Sequence, residues 1–138
     1  MMSAGLCSTA LVALSLLSVY VHGAMLGGLQ KDDPSDPEVV KAATFAVSGF
    51  NQRSNEEYDY KLMKIVSAES QVVAGMRYVL NVEIGRTECK RASTNEKASC
   101  DIIQDSELAK TLLCTFTVLE VPWENKETLL SSSCNTQQ

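Results

Sequence analysis

Between residues 37 and 54 apolar side chains recur at three- and four-residue spacing, with Val39, Ala43, Ala46, Val47 and Phe50 on one stripe. That period is helical, and a single stripe predicts a helix laid on a core by one face. Start signals precede it in Pro34-Ser35-Asp36-Pro37-Glu38. Ser35 or Asp36 can cap, Pro37 suits the first turn, and Glu38 complements the helix dipole. Gly49, inside the stripe, costs on the order of 1 kcal/mol against alanine unless close packing uses its missing side chain.

The period changes at Tyr58. Tyr58 to Ala68 is rich in Tyr, Leu, Met, Ile and Val, and Met76 to Ile84 alternates apolar residues with Arg77, Asn81 and Glu83. Such alternation predicts half-buried antiparallel strands. Thr111 to Val121 and Glu127 to Cys134 predict two more, separated from the earlier pair by a polar stretch, Arg86 to Lys110. Met25 to Asp33 contains glycines, shows no period and reads as irregular, mobile at its start. No internal repeat, low-complexity run or linker interrupts the chain. The pattern is that of an α+β domain, one helix across an antiparallel sheet.

Charge is absent from the first 30 residues, which hold an apolar run of 12, Ala10 to Val21. A membrane-spanning helix needs about 20 residues. A short apolar core followed by small residues reads instead as a secretory signal peptide over residues 1–24, cleaved after Gly23 or Ala24. It lacks the usual basic residue near its start. The remaining 114 residues suit one domain with one core. They carry the whole net charge of −5, with scattered Lys and Arg, which argues against nucleic acid as a partner.

Processing would also remove Cys7 and the sole histidine, His22, leaving Cys89, Cys100, Cys114 and Cys134. Four cysteines in a small secreted chain predict two disulfides, with three pairings open. Without histidine there is no Ser-His-Asp or Cys-His catalysis and no His metal ligand, and bridged cysteines offer no thiol nucleophile. No paired-carboxylate or Gly-rich phosphate motif stands out. An enzyme is therefore disfavoured, and neither metal nor cofactor is expected.

Three segments carry candidate recognition chemistry. Gln71-Val72-Val73-Ala74-Gly75 joins two predicted strands with apolar residues where polar ones are usual. It is either an exposed binding tip or, if the strands run further, part of the core. Pro122-Trp123 sits at a second turn, where the indole is either an interface anchor or a half-buried lid on the sheet end. Gly27-Gly28 allows close backbone approach or simply belongs to a flexible leader.

Together these residues resemble the cystatin family. Gln71 to Gly75 matches its Gln-x-Val-x-Gly signature, and Pro122-Trp123 matches its second-loop Pro-Trp. Gly27 matches its N-terminal glycine, 44 residues before Gln71, and the four cysteines fall in family order. The resemblance covers residues 25–135 and implies a secreted, two-disulfide cystatin. Its fold would be one long helix across a curved antiparallel sheet of about five strands, in a domain spanning residues 25–138. The implied disulfides are Cys89–Cys100 and Cys114–Cys134.

The implied activity is reversible, competitive inhibition of papain-like cysteine proteases, the cathepsins among them. Met25 and Leu26 would enter unprimed pockets, and Gly27 would turn the chain away from the catalytic cysteine. Gln71, Val72, Val73, Ala74 and Gly75 would fill the cleft, with Pro122 and Trp123 on the primed side. Ser54-Asn55-Glu56 resembles the Ser-Asn-Asp by which some relatives present an asparagine to legumain, with Glu56 in place of Asp. A helix-end role is the alternative for Asn55, since Asn tolerates the left-handed conformation. A monomer is expected, and a swap hinged near Val73 would give a dimer with the first loop buried. The competing class is a non-inhibitory secreted binding or defence protein on the same scaffold. Such domains tend to lose the glycine or the loop that this chain keeps.

Overall fold

The helical stripe forms α1 (Pro37–Arg53), which Asp36 caps by accepting the Glu38 N–H on Oδ1 at 2.9 Å. Ser35 donates its own N–H and hydroxyl to Asp33, so of the two candidates Asp36 is the cap. The computed structural model describes residues 28–91, 100–105 and 107–137. The proposed signal peptide with Cys7 and His22, and also Met25, Leu26 and Gly27, lies outside the described residues.

Five antiparallel strands follow in sequence order: β1 (Gln30–Asp32), β2 (Tyr58–Val73), β3 (Gly75–Lys90), β4 (Thr111–Val121) and β5 (Lys126–Thr136). Four differ from expectation. β1 lies in the stretch read as irregular: it pairs through backbone alone, Gln30 opposite Ser70 and Asp32 opposite Ala68, so it needs no side-chain period. β2 and β3 run on to Val73 and from Gly75, which leaves Ala74 alone at the turn. β5 extends past Cys134 to Thr136.

On β3 the alternation is clean. Tyr78, Leu80, Val82 and Ile84 point at the helix and are buried, as are Leu112, Cys114, Phe116 and Val118 on β4. β2 does not alternate because it is bulged. Met63 and Val66 are extra residues against β3, and both are largely exposed. Bulges bend a strand and raise its twist, so β2 curls around α1. On the helix, Ala42, Ala43 and Ala46 are wholly buried, and their small side chains let the axis come close to the sheet. Gly49 completes that approach, since a Cβ there would meet Leu129 Cδ2 at 2.9 Å.

Two polar devices fix the helix end. Asn51 is 8% exposed; its Nδ2 donates to the Tyr60 carbonyl at 2.9 Å and its Oδ1 accepts the Tyr60 N–H at 2.8 Å. Arg53 donates to the Leu129 carbonyl at 3.2 Å on the far edge. Disulfides join Cys89 to Cys100 and Cys114 to Cys134, the pairing the family resemblance implied. The second staples β5 to β4, and chain-entropy arithmetic assigns a loop of its size about 3 kcal/mol.

Asn51→Ala strands two buried backbone groups of Tyr60, so it should cost about 3 kcal/mol in urea denaturation with an unchanged slope. Burial raises the Tyr60 and Tyr78 hydroxyls above the ordinary tyrosine range, and Glu120 and its neighbouring carboxylates push Tyr78 up further. The fold thus favours the neutral phenols. Their contribution is intact below the unfolded-chain value of about 10 and is lost as pH rises through the folded value. Stability should hold up to roughly pH 10 and fall beyond it, with phenolate absorbance rising as the chain unfolds.

Candidate functional site

The first hairpin tip is a one-residue turn, with Val73 paired to Gly75 across Ala74. Gly75 has φ +119°, a conformation reserved for glycine, and a Cβ there would overlap the Glu120 carbonyl oxygen. The backbone of the first tip therefore rests directly on β4. Val72 and Val73 stand out from it, 70% and 42% exposed, so the strands do run further but the valines are not core.

The second tip is a turn of 3-10 helix, Pro122–Glu124, closed by Asn125 at φ 50° with its N–H bonded to the Pro122 carbonyl at 3.0 Å. Trp123 is 69% exposed, which rules out a lid on the sheet end. Pro122 fixes the backbone before it, so the indole projects from a stiff turn.

Register sets both tips at one end of the sheet. Met76 pairs with Glu120 and Val121 with Lys126, which puts Gly75 and Pro122 in adjacent rows. The N-terminal segment belongs there too. Gln30 opposite Ser70 directs Leu29 and Gly28 along Gln71 and Val72. Leu29 is 54% exposed, and Gly28 and Val72 line one cleft with Met76 and Tyr78. That cleft, about 400 Å³, is lined also by Asp32 of β1 and by Asp36 and Glu38 at the start of α1.

Asn55 lies at the opposite end of β2. The Ser54 backbone is extended, and Asn125 is the only non-glycine residue with positive φ among the described residues. Asn55 is thus exposed without serving as a left-handed cap. Its turn is braced on both sides. Ser54 Oγ accepts the Glu56 N–H at 3.2 Å, and Glu56 reaches Lys110 at 3.1 Å and Arg86 at 3.8 Å.

Among the described residues no group of three or more His, Cys, Asp or Glu is placed to hold a metal ion, and no helix is long and apolar enough to cross a membrane. Sequence reasoning placed the second turn at Val121 to Asn125 but missed Leu29 beside the tips and the left-handed conformation by which Asn125 closes that turn. Asn at the end of Pro-Trp-Glu-Asn was a usable turn signal. Leu29 carried none, because a lone leucine after two glycines has no period.

A cystatin-domain family model matches residues 27–123. The chain belongs to the cystatin family. Cystatin-C of Bos taurus is 43% identical over 112 residues, 81% of this chain and 75% of that protein. The cystatin of Gallus gallus is 36% identical over 132 residues, 89% and 94% of the two chains. Among solved structures, dimeric human cystatin F superposes with a TM-score of 0.76 at 33% identity, covering 81% of this chain and 89% of its own. These cystatins are cysteine protease inhibitors rather than enzymes. The helix on a five-stranded sheet and the two disulfides are those of a type 2 cystatin.

Because Gly75 combines positive φ with contact on β4, Gly75→Ala should destabilise this cystatin by at least about 2 kcal/mol. Urea unfolding followed by far-ultraviolet circular dichroism measures it.

Proposed function

We propose that the mature chain is a secreted, reversible, tight-binding competitive inhibitor of papain-like cysteine proteases, such as cathepsins. The observation that carries this reading is the placing of two exposed apolar tips, Val72-Val73 and Trp123, side by side at one sheet end with the Gly75 backbone locked against Glu120. Met25, Leu26 and Gly27 would continue the segment that reaches this end through Leu29. The three would form a wedge for an apolar cleft. Gln71 to Gly75 would face the catalytic cysteine and Pro122-Trp123 the primed side. Inhibition without turnover follows if the wedge presents turns rather than an extended peptide with its carbonyl at the nucleophile. Preformed hairpins keep the ordering cost of binding low.

A second reading rests on the exposed Asn55 on its braced turn. An asparagine-specific protease, legumain, would take that side chain at the far end of β2, independently of the wedge.

Titrating active papain with the oxidised chain from Ala24 or Met25 onward should give tight, reversible inhibition with the chain uncleaved. A verified monomer that leaves papain untouched would favour a non-inhibitory binding protein on this scaffold. Trp123→Ala should weaken inhibition at least about tenfold, as loss of an interface anchor does. Gly27→Trp should weaken it without altering the urea midpoint. Asn55→Lys should abolish legumain inhibition and leave papain inhibition unchanged; equal inhibition of legumain by both chains would remove Asn55 from the site.

A further inference from the structure

Beneath the two tips the sheet carries an imbalance of charge. Glu120 on β4 stands directly opposite Glu127 on β5, on the side that faces α1. Each has one carboxylate oxygen, Oε2, fully buried and without a hydrogen-bond partner. Like charges directly opposite on neighbouring strands destabilise the pairing. The other charged groups here deepen the problem. Glu38 of α1, Asp36 of its cap and Asp32 of β1 join Glu120 in the field around the Tyr78 hydroxyl of β3. Ser70 of β2 adds no charge. Among the described residues the cation paired with Glu120 is Lys41 of α1, whose Nζ lies 3.7 Å from Glu120 Oε1.

We infer that Lys41 is a positioning residue for the inhibitory edge. It neutralises Glu120 against Glu127 and so holds the base of the β4–β5 hairpin closed. The effect reaches both tips. Trp123 sits three residues beyond Glu120 on the hairpin, and the Gly75 backbone rests on the Glu120 carbonyl itself. Without Lys41 the two buried carboxylate oxygens gain hydration when β4 parts from β5. The assignment rests on the inhibitory reading for its effect on a protease, but not for its effect on the hairpin.

The test compares Lys41→Met with the parent near neutral pH. Amide hydrogen exchange of residues 119–128 and inhibition of papain are measured together. The variant should exchange at least about tenfold faster in that hairpin, with β3 core amides unchanged, and inhibit papain at least about tenfold less well. Adding Glu120→Gln to Lys41→Met should restore both. Parent-like behaviour of Lys41→Met overturns the assignment. So does a deficit that survives Glu120→Gln, which would trace it to packing of the lysine stem. If the parent itself leaves papain active, the inhibitory reading fails, while hydrogen exchange still decides the role of Lys41.

Discussion

The close seating of α1 in the hollow of the sheet is the constraint from which the rest follows. Ala42, Ala43 and Ala46 are buried to the last atom, and a methyl group on Gly49 would press on Leu129 Cδ2. A helix this close forces the sheet to curl, and β2 meets the demand with bulges at Met63 and Val66. Once the sheet is wrapped, the strand registers decide what lies at its end. Two turns and the N-terminal run arrive there together, without any side chain at the tips having to organise them. Interiors are packed like organic crystals, so a helix fitted this tightly transmits its position to the strands beneath it.

The tips are built in one piece. The contact of Gly75 with the Glu120 carbonyl means that the first turn has no conformation of its own apart from the second hairpin. Changes in the two segments are therefore expected to combine non-additively, as contacting residues do. The Asn55 turn is a separate construction, held by Glu56, Arg86 and Lys110 at the other end of β2.

How much could be read from the residues varied with the physics of each element. α1 was legible because one stripe and a strong start signal agree, and β3 because both of its faces keep period two. β2 was only half legible. Its bulges shift the side-chain alternation in mid-strand, so composition suggested a strand that the period could not confirm. β1 was invisible, since backbone pairing leaves no mark on side-chain pattern. At the site, Val72 and Trp123 were open to opposite interpretations until their exposure was known. The tie between Asn51 and Tyr60, like the facing of Glu120 and Glu127, depends on which residues become neighbours across elements. A one-dimensional pattern does not carry that. The disulfide pairing became readable only through likeness to a family, because four cysteines alone leave three pairings equal.

The bulges of β2 have a bearing on self-association as well. Among the described residues β1 covers only Ala68 to Ser70 of that strand, so most of its outer side is a free sheet edge beside exposed apolar residues. A flat edge of this length invites a second chain to add a strand and start a fibre. Kinks at Met63 and Val66, with Lys61 and Lys64 exposed beside them, spoil the straight row of donors and acceptors that such an addition requires. Asn51 already occupies the Tyr60 backbone. The irregularity that bends the sheet around its helix thereby also blunts the molecule against polymerisation along its longest open strand.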